Sequence, residues 1–289
     1  MNQKSARILL LFVLAARGTS FLFSKLLLRE MAPMNIVAVR FLLSFLILAA
    51  VFFRKLRSCT RAALRGGLIL GAANTVMMVL EMFALRLVDS GVCSLIENMA
   101  IVLVPLFTAV LTRTLPPGKT LFCALLAVTG VGFLSLTQSR SPSGALGIVL
   151  AVLAAMTFAV CIMMTAEVSR GSDPLTVGIL QLGAMGVLSL AASLAAGGFS
   201  LPQTGRQWGL MLLLVLLCSC FGFAFQPLGQ KYVPAEEAAV LTVVNPLTAG
   251  ILGVAAAGES LSPAKLTGCL LILTALMLYH LKKKTGPSS

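Results

Sequence analysis

The chain has 289 residues, of which 58% are hydrophobic and 11% charged, with a mean hydropathy of +1.01. Soluble domains carry about 25% charged residues and about 45–50% apolar ones, so this composition excludes a water-soluble protein and makes lipid the solvent. The formal net charge of +13 does not make it a nucleic-acid binder, because the basic residues cluster in short inter-helix loops and at the ends, without a basic, aromatic-interleaved face.

Apolar segments punctuated by charge, Pro and Gly predict ten helices, over 6–28, 33–53, 66–86, 91–112, 120–137, 144–168, 174–197, 208–229, 237–257 and 265–281. Each run is close to the ~20 residues an apolar span needs and far longer than the ~9–11 of a barrel strand. The first helix carries Arg17 and Lys25 inside its apolar run, which argues against a cleavable leader. With the N-terminus inside, fourteen Lys and Arg residues fall on the cytoplasmic side and five outside. The positive-inside rule favours that orientation, and an even number of spans then places both termini in the cytoplasm.

The second helix opens Met31-Ala-Pro33 and reaches Arg40; the seventh opens Ser172-Asp-Pro174 and reaches Gln181. The stretch Asp89 to Glu97 likewise aligns with Pro234 to Thr242. These matches divide the chain into two modules, 6–137 and 144–281, of five helices each. Five is odd, so the second copy must run through the membrane in the opposite sense. The expected fold class is therefore all-α integral membrane, with ten transmembrane helices as two inverted five-helix repeats. Inverted repeats place the substrate site of many secondary transporters near the bilayer midplane.

Ionisable side chains within a span cost about 2.5–3.5 kcal/mol each on insertion scales and therefore mark candidate sites. Arg40, Glu81 and Glu97 all fall about 7–11 Å below the outer boundary at the ~1.5 Å rise of a helix, and are expected to face one another. Lys25 either joins them or snorkels to the interface. Arg17 lies near midspan, either facing an aqueous cavity or pairing with Glu81 or Glu97. Asn74, Met78 and Glu81 share one face of the third helix, and Asn98 follows Glu97. The repeat alignment sets Gln181, Gln226 and Thr242 opposite Arg40, Glu81 and Glu97, which predicts a cavity charged toward the outside and neutral-polar toward the inside. The charged set is expected to bind a substrate or a coupling proton. The bland alternative has Arg40 neutralising a carboxylate to lock helices 2, 3 and 4 together, and the asparagines bonding between helices. Gly67 and Gly71, spaced by four, predict a close helix approach, and Pro105, Pro227 and Pro246 predict kinks.

Arg17-Gly-Thr-Ser-Phe21, Pro33 and Ala38-Val-Arg-Phe41 resemble the opening of the EamA module of the drug/metabolite transporter superfamily. Asn245-Pro246, Gly258-Glu-Ser-Leu-Ser262 and Gly268 resemble the end of its second copy. The resemblance covers nearly the whole chain and implies ten helices, inverted pseudo-symmetry and an exporter of metabolites, amino acids or drugs. Arg17 departs from the family pattern, which usually has an aromatic residue there. Thr114 stands where the second copy has Glu259, a difference read as a loop detail.

Other classes are weaker. No Walker loop is present, so transport should be secondary. An intramembrane enzyme would need ligands or a base near Glu236-Glu237, and the sole histidine, His280, lies at the end of the last helix. The seven cysteines lack the spacing of a metal or disulfide framework. The expected partners are the lipid bilayer, a small-molecule substrate and protons; no cofactor, metal or nucleic acid is expected. The expected function is export of an amino acid or related zwitterion across the cytoplasmic membrane by alternating access. Export of organic cations is the second reading, and a channel or non-transporting membrane protein the third.

Overall fold

A computed structural model describes residues 3–116, 118–138, 142–170, 172–222, 244–260 and 262–280. These residues are helical almost throughout: α1 (Gln3–Leu27), α2 (Pro33–Val51), α3 (Phe53–Arg57), α4 (Arg61–Leu87), α5 (Ser90–Asn98), α6 (Ala100–Thr112), α7 (Gly118–Gln138), α8 (Pro142–Arg170), α9 (Pro174–Ala195), α10 (Gly205–Leu213) with a π-helical continuation (Leu214–Phe221), α11 (Val244–Ala257) and α12 (Pro263–His280). Six spans are long and apolar enough by themselves to cross a membrane, counting α5 and α6 as one, and four shorter apolar helices complete a ten-helix membrane protein.

Local chemistry sets the helix starts. Pro33 and Pro174 sit in the first turns of α2 and α9, where the missing N–H costs nothing. Asp173 caps α9 through the Thr176 N–H, and Thr204 with Gln207 forms a capping box on α10. Thr60 caps α4 at Ala63, so this helix begins at Arg61, a full turn before the predicted residue 66.

Three further features depart from the sequence expectation. The short α3 stands between α2 and α4. The fourth span breaks at Met99, where the amides of Met99 and Val102 reach back only three residues, to Ile96 and Met99. The eighth span widens into the π segment. The predicted end of that span, with Gln226 and Pro227, and the start of the ninth, with Glu236, Glu237 and Thr242, lie outside the described residues.

The principal packing partners form a symmetric set. In order along the chain, the first span packs on the eighth and ninth, the second on the seventh and eighth, the third on the sixth and seventh, the fourth on the sixth and ninth, and the fifth on the tenth. Exchanging each span with the one five places along returns the same pairs. That closure is what a pseudo-twofold relation between two five-span halves requires, and an odd number of spans per half inverts one against the other. The two halves interlock, so the core lies between them. Small residues set its spacing: a Cβ added at Gly67 would sit 2.6 Å from Leu180 Cβ, and one at Gly71 would collide with Ala184. The Gly67/Gly71 pair therefore lets α4 approach α9 as its spacing implied. Phe12, Val110, Leu125, Val149, Val187 and Leu266 are exposed on the perimeter, where a bilayer replaces water.

Candidate functional site

A cavity of about 80 Å³ lies where both halves meet, lined by α1, α2, α4, α5, α8, α9, the π segment and α11. Among the residues singled out from sequence, Arg17, Arg40, Asn74, Glu81, Glu97 and Gln181 line it. Asn98 does not; its amide turns back to donate to Ser94 O at 2.8 Å. Lys25 does not either. Its ammonium bonds Leu85 O at 2.7 Å and Val88 O at 2.6 Å at the end of α4, where a cation meets the negative end of the helix dipole. Gln226 and Thr242 lie outside the described residues.

Arg40 is buried, and its partners are not carboxylates. Its Nε donates to Ser219 Oγ at 2.9 Å and a terminal nitrogen reaches Ser20 Oγ at 3.4 Å, with the guanidinium 5.0 Å from the Phe41 ring centre. The residue thus ties α2 to α1 and the π segment, rather than helices 2, 3 and 4 to one another, which was the alternative to a binding role. The wider π turn is what places Ser219 against Arg40 and Cys218 on the cavity wall; such turns recur at functional sites. Cys218 and Cys220 turn to different helices, toward Ala16 O and Ser44 O.

Glu81 and Glu97 are 3% and 7% exposed, and their carboxyl groups stand within hydrogen-bonding range of each other. Two carboxyls can bond directly only if one carries a proton. Glu97 Oε2 is buried and has no donor among the described residues; Asn245 Oδ1, facing the same cavity from α11, is in the same condition. The site therefore gathers two guanidiniums, two carboxyls and an amide oxygen with free acceptor capacity. A buried polar atom left unpaired costs roughly 1–3 kcal/mol, so these acceptors are set for a donor that arrives from elsewhere.

In the sequence Asn245 figures only in the Asn245-Pro246 motif. The signal was present: an amide inside an otherwise apolar run, just before Pro246. Ser20, Phe158, Met77 and Met185 also line the cavity, and nothing in their sequence context separates them from other core residues. Near the site, a Cβ at Gly18 would sit 2.6 Å from Asn245 O, so only glycine lets α1 approach α11 there.

Comparison with known proteins agrees with this architecture. An uncharacterized transporter of Archaeoglobus fulgidus is 25% identical over 270 residues, covering 92% of this chain and 82% of its own length. The uncharacterized transporter YwfM of Bacillus subtilis is 26% identical over 177 residues, and the match spans only 60% of either protein. A crystal structure at 19% identity superimposes with a TM-score of 0.65 over 95% of this chain and 96% of its own, which establishes a shared fold. The profile of the EamA-like transporter family matches residues 4–136 and 145–281. Two matched segments that together cover nearly the whole sequence, on a ten-helix membrane fold with a polar cavity between the halves, make this chain a member of the EamA-like transporter family.

Proposed function

We propose that the protein is a secondary transporter that exports a small zwitterion, such as an amino acid, by alternating access, and that the Glu81–Glu97 pair exchanges that substrate for protons. The observation that carries this reading is the pair of buried acceptors without donors, Glu97 Oε2 and Asn245 Oδ1, facing the same cavity as the guanidiniums of Arg17 and Arg40. An ammonium group fits the acceptors, and a carboxylate on the same molecule fits the guanidiniums. A proton held by the Glu81–Glu97 pair neutralises the same carboxyls that an ammonium would. Substrate and proton then compete for one pair, and competition of this kind couples their movement in opposite directions. Asn74 and Gln181 add neutral polar contacts to the walls.

A second reading is favoured by the aromatic and thioether lining, Phe21, Phe41, Phe158, Met77, Met78 and Met185. Such walls accept organic cations. Counterflow in proteoliposomes separates the two: labelled amino acids should accumulate and quaternary amines should not compete. Glu81→Gln and Glu97→Gln should each lower uptake at least tenfold and flatten its pH dependence. A pH dependence unchanged in both variants would remove the proton role, and accumulation of cations alone would establish the second reading.

A further inference from the structure

At the outer end of the bundle, in the orientation the basic residues favour, lies a second buried polar cluster that the transport site does not use. Glu259, in the linker between α11 and α12, is 9% exposed. Its Oε1 accepts from the Ser90 N–H at 2.5 Å and the Ser90 hydroxyl at 2.6 Å, and its Oε2 accepts weakly from the Gly91 N–H at 3.4 Å. These are the first amides of α5. The residue in the N-cap position, Asp89, makes no capping bond of its own; it is bound by Lys265 at 2.6 Å. Lys265 also donates to Ser260 O at 2.9 Å and stands 3.8 Å from Glu259. The second repeat thus supplies both the cap of α5 and the partner of its displaced cap residue. Gly253 makes room for it: a Cβ there would sit 2.5 Å from Glu259 Oε2 and 2.7 Å from Ser90 Oγ.

The element being held matters. Helix α5 is nine residues long, separated from α6 by the break at Met99, and it carries Glu97 on the cavity two turns below the cap. Just inside the cap, α5 and α11 touch backbone to backbone: a Cβ at Gly91 would sit 2.8 Å from Gly250 Cα. The α5–α11 seam thus runs from the cavity, where Glu97 and Asn245 stand, to the outer end, where the Glu259 cluster fastens it. The corresponding residue of the first repeat, Thr114, is exposed; its hydroxyl pairs with Thr112 Oγ1 at 2.8 Å and its amide donates to Ala109 O at 2.9 Å, both in its own repeat. The sequence difference between Thr114 and Glu259 is thus no loop detail: Glu259 is bonded into the opposite repeat, whereas the bonds of Thr114 stay within its own.

We infer that Glu259 is a positioning residue and outer latch: by capping α5 from the opposite repeat it holds Glu97 at the cavity and keeps the outer pathway shut, and it must let go for the site to open outward. This rests on the alternating-access reading above. The geometry also gives the direction of the asymmetry: loosening the latch should favour the outward-open state, because the bonds that break lie on that side only.

Cys218, on the cavity wall and 2% exposed, is a built-in reporter. A variant that keeps Cys218 and replaces the other six cysteines, in intact cells, would be treated from outside with a membrane-impermeant methanethiosulfonate. Labelling should be slow in that parent and at least fivefold faster in Glu259→Gln. Gly253→Ala, which leaves every charge in place but pushes on the carboxylate, should accelerate it similarly. Lys55→Gln, which breaks a tie at the other end of the bundle, should not accelerate it. Labelling at the parent rate in whichever of the two latch variants elutes as a folded, monodisperse protein would overturn the latch, as would equal acceleration by Lys55→Gln. Because labelling needs no substrate, its outcome is separable from the transport reading: parental counterflow with unchanged labelling refutes the latch alone, and altered labelling without counterflow of any compound refutes the transport assignment alone.

Discussion

At the residue scale, the informative feature is where each buried charge finds its partner. Arg40 hydrogen-bonds hydroxyls rather than carboxylates, so it and Arg17 meet Glu81 and Glu97 around one cavity without Arg40 closing an ion pair there. Had Arg40 formed an ion pair with Glu97, the site would be neutralised from within and poorly disposed to bind a cationic group. The Ser219–Arg40 bond also fixes the guanidinium so that its remaining N–H groups can serve a ligand. Ser219→Ala should therefore lower stability by about 1 kcal/mol, between the ~0.6 kcal/mol average for interhelical bonds in membranes and the larger penalty of an unpaired buried donor. Thermal unfolding in detergent would register that shift. Counterflow at saturating substrate should change less than the apparent KM, because what is lost is orientation of a binding group.

At the element scale, small residues decide how closely the two repeats approach. The α4–α9 seam at Gly67 and Gly71 is tight, whereas a Cβ at Gly250 on α11 would meet no atom within 4 Å. Gly71→Ala should cost about 1–3 kcal/mol by overpacking against Ala184, seen as a lower midpoint of thermal unfolding. Gly250→Ala should be neutral or slightly stabilising, since alanine loses less conformational entropy in a helix. Equal effects of the two changes would mean that the α4–α9 approach is not limited by these glycines. The breaks in the fourth and eighth spans belong to the same scale. Each lies within a span whose side chains line the cavity, Glu97 on one and Cys218 on the other.

At the scale of the whole molecule, the halves are also tied at the end opposite the Glu259 cluster. The Lys55 ammonium bonds both oxygens of Asp173, at 2.9 and 3.1 Å, joining the α3 region of the first repeat to the start of α9 in the second. Partial burial alone would raise the Asp173 carboxyl, but Lys55 and the Thr176 hydroxyl and amide outweigh it and hold it below its ordinary value of 3.8. A carboxyl depressed in the folded state adds stability that is fully present above its unfolded pKa and is lost as pH falls through the folded one. Asp173→Asn should therefore unfold at a lower temperature than the wild type at pH 6, with the gap narrowing below about pH 4. Both groups are about half exposed, so the gap should be small and should shrink with added salt. A gap that stays constant as the pH falls from 6 through the acid range would show that it does not come from the Asp173 charge.

The sequence by itself determined the solvent, the number of spans and the twofold plan, because these follow from hydropathy, run length and repeated Pro-led helix starts. It also nominated most of the charged and amide side chains of the cavity, since such a side chain in an apolar run must face the protein interior: Arg17, Arg40, Asn74, Glu81, Glu97 and Gln181 all do. Only the tertiary structure decided the partnerships. Lys25 went to the carbonyl end of α4, Asn98 to its own helix, and Arg40 to serines on two other helices. Each choice depends on rotation and separation between helices, which small residues and local breaks control and which hydropathy does not encode. Glu259 shows the limit most clearly. In sequence it is an acidic residue in a short linker; in the fold it caps a helix from the other repeat, because the N-terminal amides of α5 lie in a different half from the carboxylate that binds them.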